Sequence, residues 1–155
     1  MYAGISQSEI LAADTALPVA TANAARGIVE AAFTRKGGAT RLAHLYQSGS
    51  LRVRFPRHDG RATEAVLINT AGGATGGDSF RVEVIARRRA GAMVTTQAAE
   101  KIYRSAGAET SVTTNLRVGC GGWLVWAPQE TILFDHARLR RKLSLSIAAG
   151  GRLLA

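Results

Sequence analysis

From Gly27 onward the apolar residues recur mainly every second position, the spacing of a half-buried strand. Val29, Ala31 and Phe33 alternate with Ile28, Glu30 and Ala32, which fits a strand buried on much of both faces. Leu51, Val53 and Phe55 alternate with Arg52 and Arg54, and Pro56 ends that run because it has no N–H for a ladder. The apolar run Ala65–Ile68 predicts another strand, and Phe80, Val82, Val84 and Ala86 against Arg81, Glu83 and Arg87 predict the next. Further strands are predicted over 92–97, 109–118, 123–126, 131–134 and 143–147. Residues 39–46 fit either a strand or one helical turn. Residues 98–104 carry helix-forming side chains, and as a short helix they would place Gln97, Glu100, Tyr103 and Arg104 on one face. The pattern therefore predicts an all-β chain with one or two short helices, the second around Glu9–Ala13. Residues 1–25, rich in Ala, Ser and Thr and interrupted by Pro18, read as a poorly ordered tail before a β-rich domain over 26–155.

The turns are written in glycine. The stretch Asn69-Thr70-Ala71-Gly72-Gly73-Ala74-Thr75-Gly76-Gly77-Asp78 holds four glycines between two predicted strands. Its spacing nearly matches a phosphate-binding loop, with Gly72, four residues, then Gly77. Asp78-Ser79 stands where that motif needs Lys-Ser, and a carboxylate there repels phosphate. The following residues have strand rather than helix periodicity, so no helix N-terminus is available for an anion. A tight turn is the better reading, with Asp78 either serving function or accepting hydrogen bonds from turn amides. Arg87-Arg88-Arg89-Ala90-Gly91 reads as a solvated hairpin turn, and Gly119-Cys120-Gly121-Gly122 as another turn.

Charge adds a question that the pattern does not raise. Twenty Lys and Arg against eleven Asp and Glu give a net charge of +9, which suits nucleic acid, an anionic membrane or an acidic protein. A small basic nucleic-acid-binding β-domain is thus one reading, supported by Arg87-Arg88-Arg89. Against it, the nine aromatic residues form no stacking platform visible in the sequence and no RNP-type motif. The single cysteine, Cys120, forbids an internal disulfide, which suits a reducing compartment. It fits a small apolar residue better than a reactive thiol or soft metal ligand. His44, His58 and His136 lack zinc-type spacing, and His58-Asp59 are adjacent loop residues with no further ligand beside them. No serine occupies a nucleophile-elbow sequence. No run approaches the roughly 20 apolar residues of a membrane span. The first Lys or Arg is Arg26, so the N-terminus lacks the basic region of a secretory signal. These features predict a cytoplasmic chain with no membrane partner.

Three segments in order, NTAGGATGGD at 69–78, TTQAAEKIYRS at 95–105 and WAPQETILFDHARLRRK at 126–142, resemble the UreD (UreH) family of urease accessory proteins. The likeness extends over roughly residues 26–150. Family members are considerably longer, so the chain resembles the N-terminal portion of one, with an open edge expected where later strands are missing. The resemblance implies a layered, helical stacking of short strands. It also implies a non-enzymatic chaperone for nickel insertion, working with UreF and the GTPase UreG on apo-urease while nickel and a lysine carbamate are installed. Nickel would be in transit, with no tightly bound cofactor. Asp78, Glu100, Glu130 and Asp135 are the candidate oxygen ligands of such a path, weak enough to release the ion. Asn69, Gly72, Gly73, Thr75, Gly76, Gly77, Asp78, Gln97, Glu100, Lys101, Tyr103 and Arg104 form the candidate partner surface.

Overall fold

The computed structural model of the chain describes residues 23–56 and 63–155. The predicted helical turn at Glu9–Ala13, most of the predicted tail and the His58-Asp59 pair lie outside those residues. All the regular structure described is β. A hairpin of β1 (Arg26–Lys36) and β2 (Ala39–Gly49) comes first, followed by a second antiparallel pair, β3 (Leu51–Arg54) and β4 (Thr63–Asn69). The ambiguous 39–46 segment is thus strand.

From β4 the chain winds as a solenoid. It runs through β5 (Ser79–Ala86), β6 (Gly91–Thr96), β7 (Glu100–Ile102), β8 (Thr110–Val118), β9 (Trp123–Ala127), β10 (Thr131–Leu133), β11 (Leu139–Ile147) and β12 (Arg152–Leu154). Successive strands do not pair with each other. They join three sheets in rotation: β11-β8-β5-β1-β2, β12-β9-β6-β4-β3, and the small β10-β7 pair. Ala74 supplies the small sheet's first rung as a parallel bridge to Ile102. Each residue therefore meets its counterpart about 30 residues later, Ser79 opposite Ser111 and Thr110 opposite Leu139, which is the repeat length of a solenoid coil.

Parallel stacking arranges the inward side chains in columns. Val29, Val82, Thr114 and Leu143 form one column; Ala31, Val84, Leu116 and Leu145 form the next. Ala92, Leu124 and Leu153 line the facing sheet, and Ala74, Ile102 and Leu133 the third side. The core lies where the columns of the large sheets meet, around Phe33, Val84, Val94, Ile102, Leu116 and Leu124. Its last layer is open: Leu133, Leu143, Leu145 and Ile147 point along the same columns yet are 45–61% exposed. The expected layered stacking of short strands is present.

Two local expectations are corrected. Residues 98–104 form no helix; 100–102 are β7, because Ile102 fills the column between Ala74 and Leu133 and its neighbours bond to adjacent coils. Ala74 N–H donates to the Lys101 carbonyl at 2.7 Å, and Phe134 N–H to the Ile102 carbonyl at 3.0 Å. Gln97, Glu100, Tyr103 and Arg104 consequently share no helical face. The arginine turn is a corner and not a hairpin, since β5 and β6 belong to different sheets. Arg89, with φ of 55°, lies in that corner, and its N–H donates to the Cys120 carbonyl.

Candidate functional site

The glycine stretch carries the chain from β4 across the third side of the solenoid into β5. Asn69, the last residue of β4, organises its entry. Its Oδ1 accepts from Ala71 N–H at 3.0 Å, while Nδ2 donates to the Gly73 carbonyl at 3.2 Å and to Glu100 Oε1 at 3.1 Å. This Asx-type turn is a side-chain substitute for a backbone turn. Asp78 organises the exit. It is 4% exposed, and its two carboxylate oxygens accept from Ala25 N–H at 2.7 Å and Thr75 N–H at 2.8 Å. Its carbonyl accepts from Ser111 N–H at 2.8 Å. One residue thus joins the start of β1, the glycine turn and the start of β8.

The glycines have different reasons. Gly77 has a φ of 92°, where side chains strain the backbone. Gly73 lies beneath the Tyr103 ring, which a Cβ would strike. Gly76 has an ordinary backbone, but a Cβ there would collide with Ser105 Oγ and the Ala108 carbonyl. Thr75 closes the arrangement: Thr110 Oγ1 donates to its carbonyl at 2.7 Å, and its own hydroxyl donates to the Arg104 carbonyl at 3.3 Å.

Of the four candidate oxygen ligands, the fold brings two to neighbouring coils. Glu100 N–H donates to the Glu130 carbonyl at 2.9 Å, and β7 leads from Glu100 as β10 leads from Glu130 toward the same side. Asp78 faces inward at the other end of the turn, and Asp135 is an exposed loop residue 3.3 Å from His136 Nε2. Among the described residues, no three of His, Cys, Asp and Glu are grouped so as to hold a metal. Of the candidate partner-surface residues, Lys101, Tyr103 and Arg104 are exposed along the third side, and Gln97 lies at its edge.

Beside Asn69 and Glu100 a cleft of about 260 Å³ opens within the coil, lined also by Gln97, Trp126, Arg141 and Leu143. Arg141 enters the inward column above Val112 and Phe80, and its Nη1 donates to Thr131 Oγ1 at 2.8 Å. Trp126 and Arg141 were not among the residues marked by sequence. Both lie in the 126–142 segment that carries the resemblance, and the coil period places Arg141 in register with Val112.

A three-sided coil of parallel strands whose glycine corner is held by backbone-directed Asn and Asp side chains defines a β-solenoid protein. The model of a family described as UreD urease accessory protein matches residues 25–155, and the chain belongs to that family. The urease accessory protein UreD of Rhodopseudomonas palustris (strain HaA2) is 48% identical over 148 residues, which cover 96% of this chain and 52% of that protein. The UreD of Bradyrhizobium diazoefficiens (strain JCM 10833 / BCRC 13528 / IAM 13628 / NBRC 14792 / USDA 110) is 46% identical over 133 residues, 86% of this chain and 48% of that protein. UreD 1 of Methylobacterium radiotolerans (strain ATCC 27329 / DSM 1819 / JCM 2831 / NBRC 15690 / NCIMB 10815 / 0-1) is 49% identical over 121 residues, 78% and 42% respectively. The chain spans about half the length of these curated relatives.

Proposed function

We propose that this chain is a non-catalytic cytoplasmic scaffold in urease maturation, holding UreF and the GTPase UreG on apo-urease while nickel is delivered. The observation that carries this reading is membership of the UreD urease accessory family across residues 25–155. Nickel is cargo in this account, passing weak oxygen donors and leaving for the urease site, where a lysine carbamate completes its coordination. Glu100 is the best placed of the four candidate carboxylates, because it borders the cleft within the coil. Glu130 follows on the next coil. Asp135 is reachable only from outside, and the two backbone amides at Asp78 favour a structural duty for that carboxylate. Hard oxygen donors release nickel more readily than thiolate or imidazole sets do, as transfer requires.

No helix among the described residues is long and apolar enough to cross a membrane. The reading is tested by co-expressing the chain with UreF, UreG and tagged apo-urease. Recovery of UreF and UreG with urease should depend on the chain. Equal recovery without it would remove the scaffold role.

A further inference from the structure

The exposed apolar residues of this chain fall into two sets with different origins. Leu133, Leu143, Leu145 and Ile147 continue the inward columns, and their exposure follows from the open last layer. Tyr103, Ile132 and Phe134 do not. They alternate with the inward residues Ile102 and Leu133 and lie on the outside of the third side, so another coil stacked on the solenoid would leave them in solvent. They are 40%, 40% and 45% exposed.

This outer patch is built rigidly. Tyr103 and Phe134 occupy adjacent coils with ring centroids 5.0 Å apart and planes tilted by 31°. Tyr103 N–H donates to the Ala74 carbonyl at 2.8 Å, and Phe134 N–H to the Ile102 carbonyl at 3.0 Å, so both rings are carried on ladder backbone. The absent side chain of Gly73 lets the Tyr103 ring lie down on the glycine turn. Lys101 and Arg104 flank the rings, exposed, and no carboxylate among the described residues forms an ion pair with either. Asp135, the acid next to Phe134, lies 3.3 Å from His136 Nε2, and the Glu100 carboxylate accepts from Asn69 Nδ2.

We propose that the Tyr103–Ile132–Phe134 patch is a protein-docking surface for an acidic partner that inserts an apolar side chain between Lys101 and Arg104. Preorganised aromatic anchors lose little freedom on binding and dominate interface energetics. The flanking cations of a chain carrying +9 select a negatively charged face and speed its approach. The inference rests on the accessory-protein reading above and adds the place on this chain where a maturation partner sits.

The test uses UreF as the probe and measures its affinity for the whole chain by titration calorimetry, at low and at raised salt. Ile132→Glu places a carboxylate against the acidic partner, Lys101→Glu reverses a flanking charge, and Tyr46→Ser on the distant β2 is the control. All three sites are exposed, so their melting temperatures should stay within about 2 °C of wild type. Wild type should bind UreF and weaken as salt rises. Ile132→Glu should lose at least about 30-fold in affinity and Lys101→Glu about tenfold, with Tyr46→Ser unchanged. Wild-type affinity in both patch variants would overturn the surface while leaving the scaffold reading standing. No UreF binding by the wild-type chain would overturn the scaffold reading, and the docking surface with it. A labelled single-stranded oligouridine whose binding both patch variants abolish, with UreF binding intact, would assign the patch to nucleic acid instead.

Discussion

Asp78 is where a ligand role and a structural role make opposite predictions. Its oxygens satisfy two backbone amides, at 2.7 and 2.8 Å, in a side chain only 4% exposed. Asp78→Ala removes both acceptors at once. A fully buried N–H left without a partner costs about 1–3 kcal/mol, so two would cost about 2–6 kcal/mol; both bonds are part-buried and water can reach the freed amides, which places the loss toward the lower end, about 2–4 kcal/mol. At this chain length each kcal/mol moves the melting temperature by about 2–4 °C, so a fall of roughly 4–16 °C is expected. Asp78→Asn keeps one acceptor oxygen but turns an amide N–H₂ toward the other donor. It should recover no more than about half of the loss. The assay is thermal unfolding of wild type and both variants by far-UV circular dichroism, alongside urease activation. Asp78→Ala melting with wild type while urease activation collapses would refute the structural account and return Asp78 to the nickel path.

Gly77→Val should destabilise the chain by at least about 1 kcal/mol, because its φ of 92° is strained for any L side chain and most of all for a β-branched one; an unchanged denaturation midpoint would contradict this. The open last layer should drive self-association, and Leu145→Lys should lower the weight-average mass in sedimentation equilibrium with little change in melting temperature. A wild-type chain that stays monomeric at high concentration would contradict that expectation. Glu100→Gln keeps an Oε1 acceptor for Asn69 Nδ2 and so should fold normally, yet it should slow nickel loading of urease in the reconstituted system. Unchanged loading kinetics would remove Glu100 from the path.

The strands were legible because alternation reports which face of a segment is buried. Phe80, Val82, Val84 and Ala86 were assigned to one face, and all four are buried. What alternation does not report is the partner of a strand. Local patterning made Arg87–Gly91 a hairpin, whereas β5 and β6 enter different sheets and pair with strands about 30 residues away. Residues 98–104 were misread for a related reason: Glu100, Lys101 and Tyr103 have helix-compatible side chains locally, and the rung that Ile102 completes is set by Ala74 and Leu133 on other coils. At the glycine stretch the turn between two strands was legible, and its mechanics in part. An acceptor role for Asp78 followed from turn chemistry, but its bond to Ala25 N–H spans 53 positions and leaves no trace in sequence spacing. The outer patch was half visible, with Tyr103 marked and Ile132 and Phe134 not, because only the coil register sets the aromatic rings side by side.

The central claim, a scaffold through which apo-urease gains nickel, is tested most directly by the metal content of urease itself. Apo-urease, UreF, UreG, GTP, bicarbonate and nickel are incubated with or without the chain, and nickel per urease active site is measured after removal of free metal, together with ureolysis. The account predicts that nickel occupancy and activity rise together when the chain is present and stay low when it is omitted. Equal occupancy and activity with and without the chain would contradict it.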